Sequence, residues 1–212
     1  MKNKVIKMTF INTAMTCFAY SIAGMSIYLI LGMKNYIAFI SILNMLEMIF
    51  NFFSGYIQNK FSSINNPLKV LHISIVFEIL YTISHFIADV SILKYTNLFL
   101  VFQTISIITN SVCSAFYNIY SERVLCFIYK DDYVLRSKFY SKAKMIRSVC
   151  STAGYIINVG LVYYFEKILG FDKTNLLYYI ILIHLIFILF DFIITLIERS
   201  VVIKYFKLLE EE

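Results

Sequence analysis

The sequence predicts an all-α integral membrane protein with six transmembrane helices. Its composition, six long apolar segments and the placement of its positive charges all point that way. Of 212 residues, 60% are apolar and only 15% are charged, and mean hydropathy is +0.75. A soluble domain carries about 25% charged residues, so this chain lacks the residues needed to coat a water-soluble globule. Disorder requires low hydrophobicity and is excluded as well. The lipid bilayer is the expected partner, and one six-helix domain over residues 1–212 is the expected organisation.

The spans fall at about 8–33, 36–58, 68–92, 97–120, 145–165 and 176–197. Each reaches the roughly 20 apolar residues that cross the hydrocarbon layer. In lipid every backbone group must be paired within the segment, so each is a helix rather than a strand. The first begins with Lys2, Lys4 and Lys7. Its apolar run is longer than a signal-peptide core and no A-x-A site follows, so a retained helix is expected.

Charge orients the spans. With an inner N-terminus, the inner segments hold fifteen Lys and Arg and the outer loops hold four: Lys34, Lys94, Lys167 and Lys173. That bias predicts a multi-pass protein of the cytoplasmic (cell) membrane with both termini in the cytoplasm. The net charge of +6 is thus a topology signal, and no nucleic-acid partner is expected. Interface tyrosines are expected at outer ends (Tyr28, Tyr36, Tyr163, Tyr164, Tyr178, Tyr179) and inner ends (Tyr56, Tyr120, Tyr140). Residues 121–144 read as a long polar connection between spans 4 and 5. Within and beyond it, 138–147 reads either as an amphipathic surface helix or as a solvated connector. The tail from Glu198 reads as a short solvated end. Cys17, Cys113, Cys126 and Cys150 lie in or beside apolar segments and read as small buried hydrophobes.

Function is sought at polar groups inside spans. An ionised side chain at mid-membrane costs about 2.5–3.5 kcal/mol on the insertion scale, so such groups should face the bundle interior or a wet cavity. Glu47, Glu78, His184 and Asp191 lie deep, and His85 lies nearer the outside. These five are the candidates for transport or proton coupling, Glu47 first. Asn44, Glu47 and Asn51 share one face of span 2. Gln103, Asn110, Ser114 and Tyr117 form a stripe on span 4, and Ser151, Gly154 and Asn158 share a face of span 5. Asn12, Thr16, Tyr20 and Ala23 do so on span 1. Tyr20, Asn44, Asn51, Gln103, Asn110 and Asn158 are the expected pathway lining. Glu78 with His85, and His184 with Asp191, repeat a seven-residue spacing. That keeps each pair on one face but about 10 Å apart along the axis, so a relay or cross-helix partners are needed. Each polar group also reads as simple interhelical glue.

Nucleophile-elbow, zinc-protease, P-loop and dinucleotide motifs are absent, so neither an enzyme nor a bound cofactor is expected. The three histidines form no i,i+4 pair, and no metal site is expected.

The second span ends Gly55-Tyr-Ile-Gln-Asn59-Lys60-Phe-Ser-Ser. This resembles the signature of the major facilitator superfamily between its second and third helices. Gly55 and Lys60 match, Asn59 replaces the acid, and the final Gly and basic pair are missing. The stretch from Asn110 to Asn118, Arg123, the loop Lys130 to Lys144, and Ser151-Thr-Ala-Gly154 is similar to the N-terminal half of facilitator drug exporters, macrolide-efflux proteins among them. The usual fourth-span Arg and the Pro after the fifth-span Gly are absent. The resemblance implies half of a twelve-helix transporter. A copy of itself or a separate second half would complete it. It also implies an inner gate at Gly55, Asn59 and Lys60, Gly55 permitting close approach. The alternative reading of the gate residues is a plain helix end with Lys60 snorkelling.

The expected function is a half-size facilitator-type transporter exporting a small amphipathic compound with the proton gradient. Two alternatives share the topology. One is a six-span permease subunit of an ATPase-driven transporter, coupled through the connection between spans 4 and 5. The other is a non-transporting membrane immunity or accessory protein.

Overall fold

The structure is a computed structural model that describes residues 1–33, 37–62, 66–130 and 132–210. These form six α-helices: α1 (Lys2–Met33), α2 (Ile37–Phe61), α3 (Pro67–Ser91), α4 (Thr96–Tyr129), α5 (Tyr133–Tyr163) and α6 (Lys173–Glu210). A π-helical turn, Tyr164–Ile168, extends α5. All six helices are long and apolar enough to cross a membrane. Tyr36 and the Ala23 side chain lie outside the described residues.

Helix starts follow local chemistry. Asn66 caps α3, its Oδ1 accepting from Lys69 N at 3.1 Å with Pro67 at the first position, where the missing N–H of proline costs nothing. Asp132 caps α5 in the same way, accepting from Leu135 N at 2.9 Å. Asp172 accepts from Asn175 N at 2.8 Å at the start of α6.

The expected connection at 121–144 is not a loop. Helix α4 runs on to Tyr129, Lys130 turns the chain at φ 48°, and α5 begins at Tyr133. The residues at 138–147 belong to α5 and dock on the bundle. Phe139 and Ala143 are buried with Leu125 of α4, and the Phe139 ring stacks on Phe10 of α1 at 4.7 Å. Polar residues on the outer face of these helical extensions gave the segment a loop-like composition. The expected tail is likewise the last turns of α6. Glu198 and Arg199 are 1% and 2% exposed, held by partners that α1 and α3 supply.

Two apolar clusters fill the bundle. The one at the predicted outer end joins Leu31, Ala88, Phe99, Ile107 and Ile180. The one at the predicted inner end joins Val5, Leu71, Phe116, Tyr120 and Val202. Along α1, α3, α4 and α6 the buried polar residues fall between them. Tyr120 belongs to this core at 2% exposure and is not an interface anchor, whereas Tyr28, Tyr56, Tyr140, Tyr163, Tyr164, Tyr178 and Tyr179 are exposed. Large apolar side chains cover the outside, among them Met48, Phe52, Val76 and Ile186. This is the arrangement that lipid favours and water does not.

Helices α1 and α5 meet closely at Gly154. A Cβ there would lie 2.8 Å from both the Phe18 backbone oxygen and Ser21 Cβ, so only glycine lets α5 approach α1 this closely. Asn158, one turn on, donates Nδ2–H to the Ile22 carbonyl at 2.8 Å. Asn158 thus faces α1 and contributes to helix packing.

Candidate functional site

Helices α3 and α6 run antiparallel, so the two seven-residue pairs are matched across the bundle rather than along one helix. His85 meets His184 at one level. Glu78, Asp191 and Arg199 gather around one cavity at another, about 10 Å away by helix rise.

That cavity is the larger, about 370 Å³. Its walls include Asn12, Thr16 and Tyr20 of α1, Glu78 of α3, Asn110, Ser114 and Tyr117 of α4, Arg147 of α5, and Asp191 and Arg199 of α6. Asp191 accepts from Thr16 Oγ1 at 2.7 Å. Asn12 Oδ1 accepts from Thr195 at 3.1 Å, and Tyr20 donates its phenol to Asn110 Oδ1 at 3.3 Å. Glu78 has a charged partner and a thiol partner. Arg199 Nη2 is 3.6 Å from its Oε2, and Cys113 donates Sγ–H to the same oxygen at 2.9 Å. Arg199 also donates to Ser74 Oγ at 2.5 Å and lies 4.9 Å over the Tyr117 ring. Below this, Glu198 accepts from Thr9 Oγ1 at 3.2 Å. Two acids and two guanidinium groups therefore line one cavity inside a lipid-facing bundle.

A smaller cavity, about 90 Å³, lies toward the histidines. It is lined by Tyr20, Tyr28, Asn44, Glu47, Gln103, Asn110, His85 and His184 among others. His85 Nδ1 is 2.8 Å from Ser106 Oγ, and its Nε2 is 3.2 Å from His184 Nε2. Asp89 stands beside both rings, with Oδ2 at 3.2 Å from His184 Nδ1.

The structure thus gathers Tyr20, Asn110, Glu78 and Asp191 at one cavity and Tyr20, Asn110, Glu47, Asn44, Gln103, His85 and His184 at the other. Glu47 is exposed rather than deep in the bundle. Its helix, α2, packs at the periphery, and Asn44, Glu47 and Asn51 are all exposed on it. Asn51 and Asn158 line neither cavity. At Gly55 a Cβ would meet no atom within 4 Å, so no close approach occurs there, and Asn59 and Lys60 are exposed at the helix end. Near them Arg123 Nη2 donates to the Ser62 carbonyl, tying α4 to the end of α2.

Sequence reasoning missed Arg199, Glu198 and Asp89. The first two fell in a presumed tail, and Asp89 near a presumed span end. An i,i+4 scan that included carboxylates would have paired His85 with Asp89. It also took Cys113 for a plain hydrophobe, whereas its thiol is bonded to Glu78. Every cysteine is a free thiol, Cys126 exposed and Cys113 buried.

Fold and cavity together define a multi-pass helical membrane protein with a polar interior. No family model, curated protein or solved structure matches the chain.

Proposed function

We propose that the protein is a half-size, facilitator-type membrane transporter that exports a small amphipathic compound in exchange for protons. The observation that carries this reading is the 370 Å³ cavity with Asp191, Glu78, Arg147 and Arg199 on its walls. Ionisable groups held at membrane depth mark substrate and ion pathways. Rings at Tyr20 and Tyr117 beside carboxylates suit a ligand with an apolar body and a polar end.

Roles divide by partner. Asp191 is bonded to a neutral hydroxyl and, among the described residues, has no salt bridge, so it is the proton-coupling carboxylate. Glu78 is paired with Arg199 and holds α3 to α6. Glu47, on the smaller cavity's wall, is the second coupling carboxylate. The exposed polar stripe on α2 needs cover in a membrane. A second six-helix bundle, identical or separately encoded, provides it and closes the pathway. The excess of inner Lys and Arg supports cytoplasmic termini and a place in the cell membrane.

The test uses liposomes containing the full chain, loaded with ethidium as the amphipathic probe and given a pH gradient. Wild type drives ethidium movement with the gradient. Asp191→Asn abolishes gradient-driven movement while retaining ethidium counterflow, and Glu47→Gln weakens it. Undiminished gradient-driven movement in Asp191→Asn overturns the assignment.

A further inference from the structure

We infer that His85, His184 and Asp89 form a binding site for a single borderline divalent transition cation of the Zn²⁺ class. The inference is independent of transport. It rests on three side chains that are 6%, 0% and 2% exposed, respectively, and that converge from α3 and α6 with ligand atoms all within 4.8 Å of one another.

The spacing fits a metal. Zinc binds imidazole nitrogen at about 2.0–2.1 Å, and a tetrahedral angle then sets two such nitrogens roughly 3.3 Å apart. The two Nε2 atoms are 3.2 Å apart. Asp89 Oδ1, at 4.0 Å from His85 Nε2, reaches a third position by a modest side-chain rotation. The set of two imidazoles and one carboxylate selects transition cations over magnesium or calcium, which prefer all-oxygen shells.

The surroundings are those of a ligated histidine. His85 Nδ1 sits 2.8 Å from Ser106 Oγ; with Nδ1 as the donor, the Nε2 lone pair faces the site, the usual outer-shell device for a metal-bound ring. His184 must then supply the proton between the two Nε2 atoms, and its Nδ1 turns a lone pair on Asp89. That contact is 3.2 Å, but it lacks the direction of a hydrogen bond. Asp89 Oδ2 and His184 Nδ1 are both buried without a hydrogen bond. An unsatisfied carboxylate oxygen in a dry site is costly. A cation resolves the conflict: with the metal on both Nε2 atoms, His184 carries its proton on Nδ1 instead, which turns an N–H toward Asp89 Oδ2 and sets positive charge beside that carboxylate. Both histidines line the smaller cavity together with Gln103, whose Oε1 is also buried without a hydrogen bond.

The experiment takes the full chain in lipid nanodiscs, stripped of metal with a chelator, and titrates it with Co²⁺. Visible d–d absorption reports nitrogen and oxygen coordination, and Zn²⁺ competes. One equivalent of Co²⁺ per chain is expected, displaced by Zn²⁺ and not by Mg²⁺. His85→Gln and His184→Asn weaken binding more than about 100-fold, beyond the 10–100-fold typical of outer-shell changes. His72→Gln leaves it unchanged, because His72 is exposed and bonded to Leu68 O. Absence of a saturable cobalt spectrum in wild type overturns the site. So does full binding in the His85→Gln, His184→Asn double variant, or equal loss in His72→Gln. If the histidine variants do not fold, wild-type thermal unfolding decides: a midpoint raised by saturating Zn²⁺ and not by Mg²⁺ supports the site, and an unmoved one overturns it.

Discussion

Arg199 is a full positive charge at 2% exposure, and its neighbours explain how the bundle holds it. Glu78, Ser74 and the Tyr117 ring surround the guanidinium. A buried pair of this kind is strongly destabilised by losing one member, by about 3–5 kcal/mol, while replacing both by apolar or neutral groups is often harmless. Arg199→Met is therefore expected to lower the unfolding free energy in nanodiscs by that amount. Adding Glu78→Gln is expected to recover most of it. A double variant no better than Arg199→Met alone means that Glu198 or Tyr117 is the main partner. Partners separate the two acids of the larger cavity: Glu78 is fixed by charge, and Asp191, among the described residues, by a hydroxyl.

Among the helices, α5 presses directly on α1, whereas α2 packs at the periphery and is tied to α4 by Arg123 near its end. Gly154 lets α5 press on the α1 backbone, and Asn158 adds a hydrogen bond one turn later. Gly154→Ala forces a Cβ to 2.8 Å from a backbone oxygen and is expected to cost about 1–3 kcal/mol, as overpacking does. Gly55→Ala meets open space and is expected to gain about 0.5–1 kcal/mol from helix propensity. Thermal unfolding of the two variants side by side checks the opposite signs. A loss at Gly55 equal to that at Gly154 means a partner presses on α2 there. Seven-residue spacing on α3 and α6 was legible in the sequence. Their antiparallel register, which sets His85 against His184, was not, because side-chain periodicity fixes a face and leaves the height of its neighbour open.

Taken as one bundle, the chain is longer than the membrane is thick. Helix α4 has 34 residues, about 51 Å at 1.5 Å per residue, against a hydrocarbon core of about 30 Å. The extra turns of α4, α5 and α6 carry the charges that composition alone assigned to loops and a tail. Topology remains testable by side-specific thiol labelling. Cysteines introduced at Lys94 and Lys173 are expected to react with an impermeant maleimide from outside. Native Cys126, exposed on α4, is expected to react only from inside. Labelling of position 94 or 173 from the cytosol alone inverts or dismantles the six-span arrangement.

The sequence by itself determined the six apolar helices and their order. In lipid an unpaired backbone is so costly that a long apolar run has essentially one conformation. It also marked most of the polar residues that belong inside, because each is expensive there whatever its partner. Tertiary structure alone decided who meets whom: Asp191 with Thr16, Glu78 with Arg199, His85 with His184 beside Asp89. Those cross-helix contacts join residues 95 to 175 positions apart along the chain. They depend on the rotation and relative height of packed helices, which complementary shapes such as Gly154 against Phe18 set and no local pattern records.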